Sequence, residues 1–187
     1  MRMQALWRRL DGPGHASATI VPNGDGLRLM GNAAFDQDGE AAGLAYVVEM
    51  AADGVALSGR VRGFVGAAII DQTIQRLDGD WWLNGRPQGL KGVVDLDFGF
   101  TPATNWQQVK RMRLAVGERA QVDVAWWDVG EVRLIALPQI YERTGDLTYA
   151  YAAPTFGYAA ILTMAPSGFV AEYPGLWTLT GPDAGTG

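Results

Sequence analysis

The chain has 187 residues, 48% hydrophobic and 19% charged, with a formal net charge of −5. A charged share below the usual quarter implies extensive burial or an apolar internal surface, and the length suffices for one domain with a full-sized core. The acidic balance, with Lys91 and Lys110 the only lysines, argues against nucleic acid, which needs clustered cations, while the lack of cysteine and the single histidine, His15, exclude a disulfide scaffold and a Cys/His zinc site.

Residues 1–10 fit a short helical turn. They hold no apolar stretch of the secretory kind, which points to the cytoplasm. His15 follows Gly12-Pro13-Gly14 in what reads as a loop. Beyond it, glycine punctuates segments of five to ten residues rich in Val, Ile, Leu, Trp, Tyr and Thr, the pattern of many short strands. Strands are expected at 27–32, 43–50, 55–62, 68–77, 80–83 and 93–98, then at 109–116, 121–128, 132–143, 147–152, 157–164 and 169–173. Asn23-Gly24-Asp25-Gly26, Asp38-Gly39, Asp53-Gly54, Asp78-Gly79, Asn84-Gly85 and Ser167-Gly168 mark turns. A second short helical turn fits 103–108. The uncharged stretch between Asp146 and Glu172 is interrupted by Pro154, Gly157, Pro166 and Gly168. It reads as two strands and not as a membrane span, which wants about 20 apolar residues in a row. The expectation is one all-β, mainly antiparallel domain over residues 1–180, with a frayed tail at 181–187. About a dozen strands in one sheet must curl, split or close, so the domain is expected to be a single curled sheet around an apolar interior or cavity.

The segment from Gly92 to Val116 stands out. With both flanks as strands and the turn centred on Thr104, Asp97 falls opposite Arg111 and Asp95 opposite Arg113. Val94 then meets Leu114, and Leu96 meets Met112. Matching charges on one face and apolar residues on the other favour such a hairpin. The charged face is either a structural ladder or a polar patch that grips a ligand head group. Guanidinium groups suit phosphate or carboxylate, and carboxylates suit sugar hydroxyls. A magnesium site on Asp95-x-Asp97 is weaker, because no nucleotide-binding loop accompanies it. Asn105 and Trp106 lie in the connection. Gln139 and Tyr141 form a polar pair at the end of an apolar stripe with Ile135 and Leu137. Trp81-Trp82 and Trp126-Trp127 are adjacent pairs that a strand splits between its faces. Trp82, Trp106 and Trp127 are candidates to line a site. Arg60 and Arg62 share a face and could join Asp95 and Asp97.

Catalysis finds little support. The serines, Ser17, Ser58 and Ser167, sit in no nucleophile elbow. Asp95 and Asp97, neighbours on one strand, flank a substrate poorly as a glycosidase pair. No cofactor or metal is called for.

Several motifs together resemble the bacterial family of glycolipid-binding proteins. They are the run Gly92 to Leu114 with its Asp-x-Asp, Thr101-Pro102-Ala103-Thr104-Asn105 and Arg111-x-Arg113-Leu114, then Gln139-x-Tyr141 and Tyr149-x-Tyr151. Gly168-Phe169-Val170 leading to Tyr173-Pro174-Gly175-Leu176-Trp177, and an opening Trp7-Arg8-Arg9-Leu10, extend the likeness over nearly the whole chain. The family often has Leu-Pro after Thr-Asn, where this chain has Trp106-Gln107-Gln108. The resemblance implies a spiral β-roll, similar to the periplasmic carriers that hold lipoprotein acyl chains. Its expected function is non-catalytic binding of a lipid or glycolipid-like amphiphile. Ligand contacts are expected from Asp95, Asp97, Asn105, Trp106, Arg111, Arg113, Gln139 and Tyr141. Two other functions stay open: an interaction domain whose core is filled, and an enzyme acting on a lipid-linked sugar. Ala41-Ala42, Ala67-Ala68, Ala152-Ala153 and Ala159-Ala160 lean towards an interior with room.

Overall fold

The computed structural model describes residues 3–181; the expected tail lies outside the described residues except for Gly181. Among the described residues the fold is one sheet of fifteen strands. The first eight are β1 (Met3–Arg9), β2 (Gly14–Asn23), β3 (Gly26–Gln37), β4 (Glu40–Met50), β5 (Ala56–Val65), β6 (Ala68–Leu77), β7 (Asp80–Leu83) and β8 (Arg86–Pro87). Then come β9 (Asp95–Phe98), helix α1 (Asn105–Met112), β10 (Arg119–Trp127), β11 (Ile135–Arg143), β12 (Thr148–Ala153), β13 (Tyr158–Met164), β14 (Val170–Tyr173) and β15 (Trp177–Leu179). Each strand pairs with its sequence neighbour, and β1 pairs with β15 through Trp7↔Leu179 and Arg9↔Trp177. All pairings are antiparallel except β9 with β10.

The two edges of the sheet, β8 and β9, are consecutive in sequence. They do not meet; the sheet rolls so that β9 lies within the turn of β5. All four β9 residues are buried. Ala56 N–H donates to Val94 O at 3.0 Å, and a Cβ on Gly59 of β5 would lie 2.4 Å from Leu96 Cδ2. Glycine is therefore needed where the inner edge passes under the outer wall. An edge strand leaves unpaired backbone groups, and here side chains replace the missing strand. Gln107 Nε2 donates to Leu96 O at 2.8 Å, and Phe98 N–H donates to Thr104 Oγ1 at 3.2 Å.

The expected hairpin across 92–116 is not formed. Thr101 Oγ1 accepts from Ala103 N–H, Pro102 opens a short helical turn over Pro102–Thr104, and α1 follows directly. Proline at the first helical position is preset for helix. Seven of the eight α1 residues are not β-branched, and Gln, Lys, Arg and Met favour helix over strand. Arg113 ends it in the left-handed conformation, φ 49°. The helix also supplies the long crossover that the parallel β9–β10 pair requires. Residues 3–9 form a strand and not a helical turn, with Met3, Ala5 and Trp7 inward. His15 sits exposed on β2 rather than in a loop. The stretch 147–171 holds β12, β13 and the start of β14.

Large side chains fill the interior: Trp7, Tyr46, Trp81, Phe98, Trp127 and Phe169 are all fully buried in one core cluster. A second cluster gathers Tyr141, Tyr149, Tyr151, Leu162 and Met164. Of the alanine pairs, Ala42 and Ala153 point inward, Ala153 lining a cavity, while Ala41, Ala67, Ala68 and Ala159 are exposed. Among the described residues, no helix is long and apolar enough to cross a membrane.

Candidate functional site

A cavity of about 370 Å³ opens between β9, β10, β11, β12 and the β14–β15 turn. Its floor is polar. Asp97 on β9 is buried and carries no cationic partner among the described residues. Thr104 Oγ1 donates to its Oδ1, and Gln139 Nε2 donates to its Oδ2 at 2.7 Å. The Tyr141 hydroxyl donates to Gln139 Oε1 at 3.0 Å, and Asn105 Nδ2 donates to the Tyr141 oxygen at 2.9 Å. A chain of hydrogen bonds thus runs from α1 through β11 to the Asp97 carboxylate. Buried polar groups of this kind fix side-chain orientation when every member is satisfied. Burial raises the Asp97 pKa above the ordinary carboxylate value, against the opposing pull of Thr104 and Gln139. Burial likewise keeps the Tyr141, Tyr151 and Tyr173 hydroxyls protonated well into alkaline pH.

The walls are aromatic. Tyr141 and Tyr151 are cross-strand partners with ring centroids 4.9 Å apart. Tyr151 meets Tyr173 edge-on at 5.6 Å, and Tyr173 meets Tyr158 at 5.4 Å. Trp126 packs against Phe156 at 5.0 Å, and Phe156 is half exposed at the rim. Trp177 and Leu137 complete the apolar lining. Between floor and rim stands Asp128, one residue past β10. Its Oδ1 accepts from Val129 N–H at 2.7 Å. Burial pushes its pKa up to about 6, more than Val129 N–H and the Arg9 charge hold it down.

That shift has a consequence for stability. The folded state holds a proton on Asp128 between the ordinary carboxylate pKa near 3.8 and about 6, where the unfolded chain has lost it. Stability then falls as pH rises through this window, by on the order of 2–3 kcal/mol. Asp128→Asn is expected to leave stability unchanged at pH 4 and to raise it at pH 7.5, by thermal unfolding at both pH values. Equal effects at the two pH values would contradict the buried-carboxyl assignment.

The expected site residues divide into two groups. Asp97, Asn105 and Gln139 line the cavity, and Tyr141 stands directly behind them. Asp95, Arg111, Arg113 and Trp106 lie outside its lining. Asp95 is fully buried and paired with Arg111 in a two-pronged contact, Nε–Oδ1 at 2.9 Å and Nη2–Oδ2 at 2.6 Å. The helix therefore matches Arg111 to Asp95, where the hairpin arithmetic had matched it to Asp97. Arg113 is exposed at the helix end. Trp106 is buried, its indole N–H donating to Ser167 O at 3.0 Å. Arg60 and Arg62 pair with Asp71 on the outer surface and join neither aspartate. Trp126, not Trp82 or Trp127, contributes a tryptophan of β7 and β10 to the cavity. The sequence expectations named neither Asp128 nor Gly99. Asp128 does share a strand-period face with Trp126, and that spacing was the available signal. Among the described residues, no group of three or more His, Asp or Glu side chains could hold a metal ion.

The fold is one curled, mostly antiparallel sheet that carries a small aromatic cavity on a polar floor. The chain belongs to the family described as "Putative glycolipid-binding", which matches residues 4–178. It is similar to a crystal structure of a DUF1089 family protein from Pseudomonas aeruginosa, with 22% identity, a TM-score of 0.70, and 95% of this chain and 91% of that one covered. It is also similar to a β-barrel-like protein of domain of unknown function DUF1849 from Brucella abortus, with 13% identity, a TM-score of 0.55, and 96% and 95% covered. At these identities the likeness shows the fold alone. Comparison with curated proteins returned no match.

Proposed function

We propose that the cavity binds the polar head of a small glycolipid-like amphiphile and that the protein is a carrier or sensor rather than a catalyst. The observation that carries this reading is the satisfied polar floor of Asp97, Gln139 and Asn105 inside an aromatic wall. Carboxylates and amides suit hydroxyl-rich groups, and aromatic rings offer flat apolar faces to a ring ligand. The family's description supports the same ligand class. The cavity is near the small end of the range of about 300–1,000 Å³ for ligand sites. It has room for a head group and a short apolar stretch, while the rest of the core is filled by aromatic and aliphatic side chains.

Gly99 forms part of the wall. A Cβ there would lie 2.3 Å from Asp128 Oδ2 and 2.8 Å from Trp126 Cζ2. Gly99→Val is therefore expected to fill the cavity mouth and abolish binding. Trp126→Ala removes a wall face and is expected to weaken binding about tenfold or more. Titration of alkyl glycosides below their micelle concentrations, read by tryptophan fluorescence, checks both. Each buried methylene adds about 0.8 kcal/mol, so affinity should rise over the first few carbons and then level off. A flat response in folded wild-type protein, or saturable binding untouched by Gly99→Val, would overturn the proposal.

A further inference from the structure

Resting on the amphiphile reading, the cavity's charge pattern narrows the ligand further. Its lining holds two carboxylates, Asp97 and Asp128, and no lysine, arginine or histidine among the described residues. Both oxygens of Asp97 are engaged by Thr104 and Gln139. Asp128 differs: Oδ1 accepts from the Val129 amide, but Oδ2 accepts no hydrogen bond from the described residues. That oxygen lies over Gly99, in the space which a side chain there would take, and beside the Trp126 ring. Trp126, Tyr151, Tyr158, Tyr173 and Trp177 line the same cavity.

The charged groups near Asp128 are Arg9 on β1, Asp97 on β9 and Glu131 in the following loop. Arg9 is the one cation of the three, and it is already held by Asp11 through bonds of 2.6 and 3.1 Å while its guanidinium lies over Phe35. The cavity lining therefore carries acidic groups and no cation of its own among the described residues. A desolvated ring face attracts a cation, and a carboxylate beside it strengthens the attraction. An anionic head group would meet two carboxyl groups and no cationic residue in the lining.

We infer that the head group bound in this cavity is cationic, a primary ammonium such as an amino sugar carries, seated against Asp128 Oδ2 and the aromatic wall. Neutral sugars use the floor and the aromatic wall without a charge pairing to Asp128, and phosphate or sulfate heads are excluded. A bound ammonium favours the ionised Asp128, so its advantage over a neutral head should grow as pH rises through about 6.

The test compares n-octylamine, octyl glucoside and octyl sulfate, titrated below their micelle concentrations from pH 5 to 8. Octylamine stays charged throughout, as an alkyl amine with a pKa of about 10 does. At pH 7.5 octylamine is expected to bind roughly tenfold or more tightly than octyl glucoside, about 1.4 kcal/mol per factor of ten. The advantage should shrink at pH 5 and in Asp128→Asn, and octyl sulfate should not compete. Equal saturable binding of octylamine and octyl glucoside, lost together in Gly99→Val, would overturn the cationic preference and leave the amphiphile reading standing. No saturable binding of any of the three would overturn both. Tight octylamine binding that is unchanged by pH and by Asp128→Asn would also overturn the assignment to this carboxylate.

Discussion

Arg111→Met is expected to destabilise the protein by about 3–5 kcal/mol. Asp95 is fully buried on the inner edge strand, and Arg111 on α1 is its salt-bridge partner. Removing the guanidinium leaves a carboxylate without solvent or counter-charge, the situation in which breaking a pair is most damaging. Replacing both partners, Asp95→Leu with Arg111→Met, should recover most of the loss, because apolar residues of similar volume carry no desolvation penalty. Asp97→Leu in the same Arg111→Met background should bring no recovery, since the bonds of Asp97 run to Thr104 and Gln139. Urea unfolding of the four proteins at pH 7 separates these outcomes. An Arg111→Met change within about 0.5 kcal/mol would mean that the pair is solvated, and rescue by Asp97→Leu would restore the hairpin register.

Trp7→Ala is expected to lower stability by a similar amount, about 3–5 kcal/mol. Trp7 closes the seam where the two ends of the described chain meet, on β1 beside β15. It is fully buried, packs edge-on against Phe169 with centroids 5.3 Å apart, and donates its indole N–H to Val170 O at 2.6 Å. Alanine empties that volume and leaves the Val170 carbonyl without its donor. Trp7→Phe keeps a ring and loses the hydrogen bond, and should cost about 1–3 kcal/mol. Thermal unfolding monitored by near-ultraviolet circular dichroism gives the order. If Trp7→Ala falls below Trp7→Phe in its effect, the seam is not where the sheet is secured.

The strands were legible wherever an alternating apolar pattern stood between glycine turns. Ala68–Leu77 and Asp80–Leu83 match the expected bounds, and the pleat of Trp81 inward and Trp82 partly outward follows from period two. The N-terminal strand carried the same pattern in Met3, Ala5 and Trp7, although residues 1–10 also fit a short helical turn. Tertiary pairing with β15, a partner some 170 residues away, decides that segment, and no local window contains it. The helix was the larger departure. Asp95, Asp97, Arg111 and Arg113 match in a hairpin register by alternation alone, but the intervening Thr-Pro and Gln-Gln favour a helical turn and helix. One of the two expected ion pairs survives only with its partner exchanged. The polar floor was visible in part, because buried Gln139 and Tyr141 interrupt an apolar strand face where such residues need partners. Asp128 was marked only by its strand spacing from Trp126, and its burial is a product of tertiary packing that no local window contains.

The central claim, that this cavity is the binding site, is tested most directly by a crystal structure of the protein grown with octyl glucoside below its micelle concentration. The sugar ring is expected between Trp126 and Tyr158, its hydroxyls within hydrogen-bond distance of Asn105 and Gln139, with the alkyl chain leaving past Phe156. An occupied outer surface beside a cavity that holds only water would contradict it.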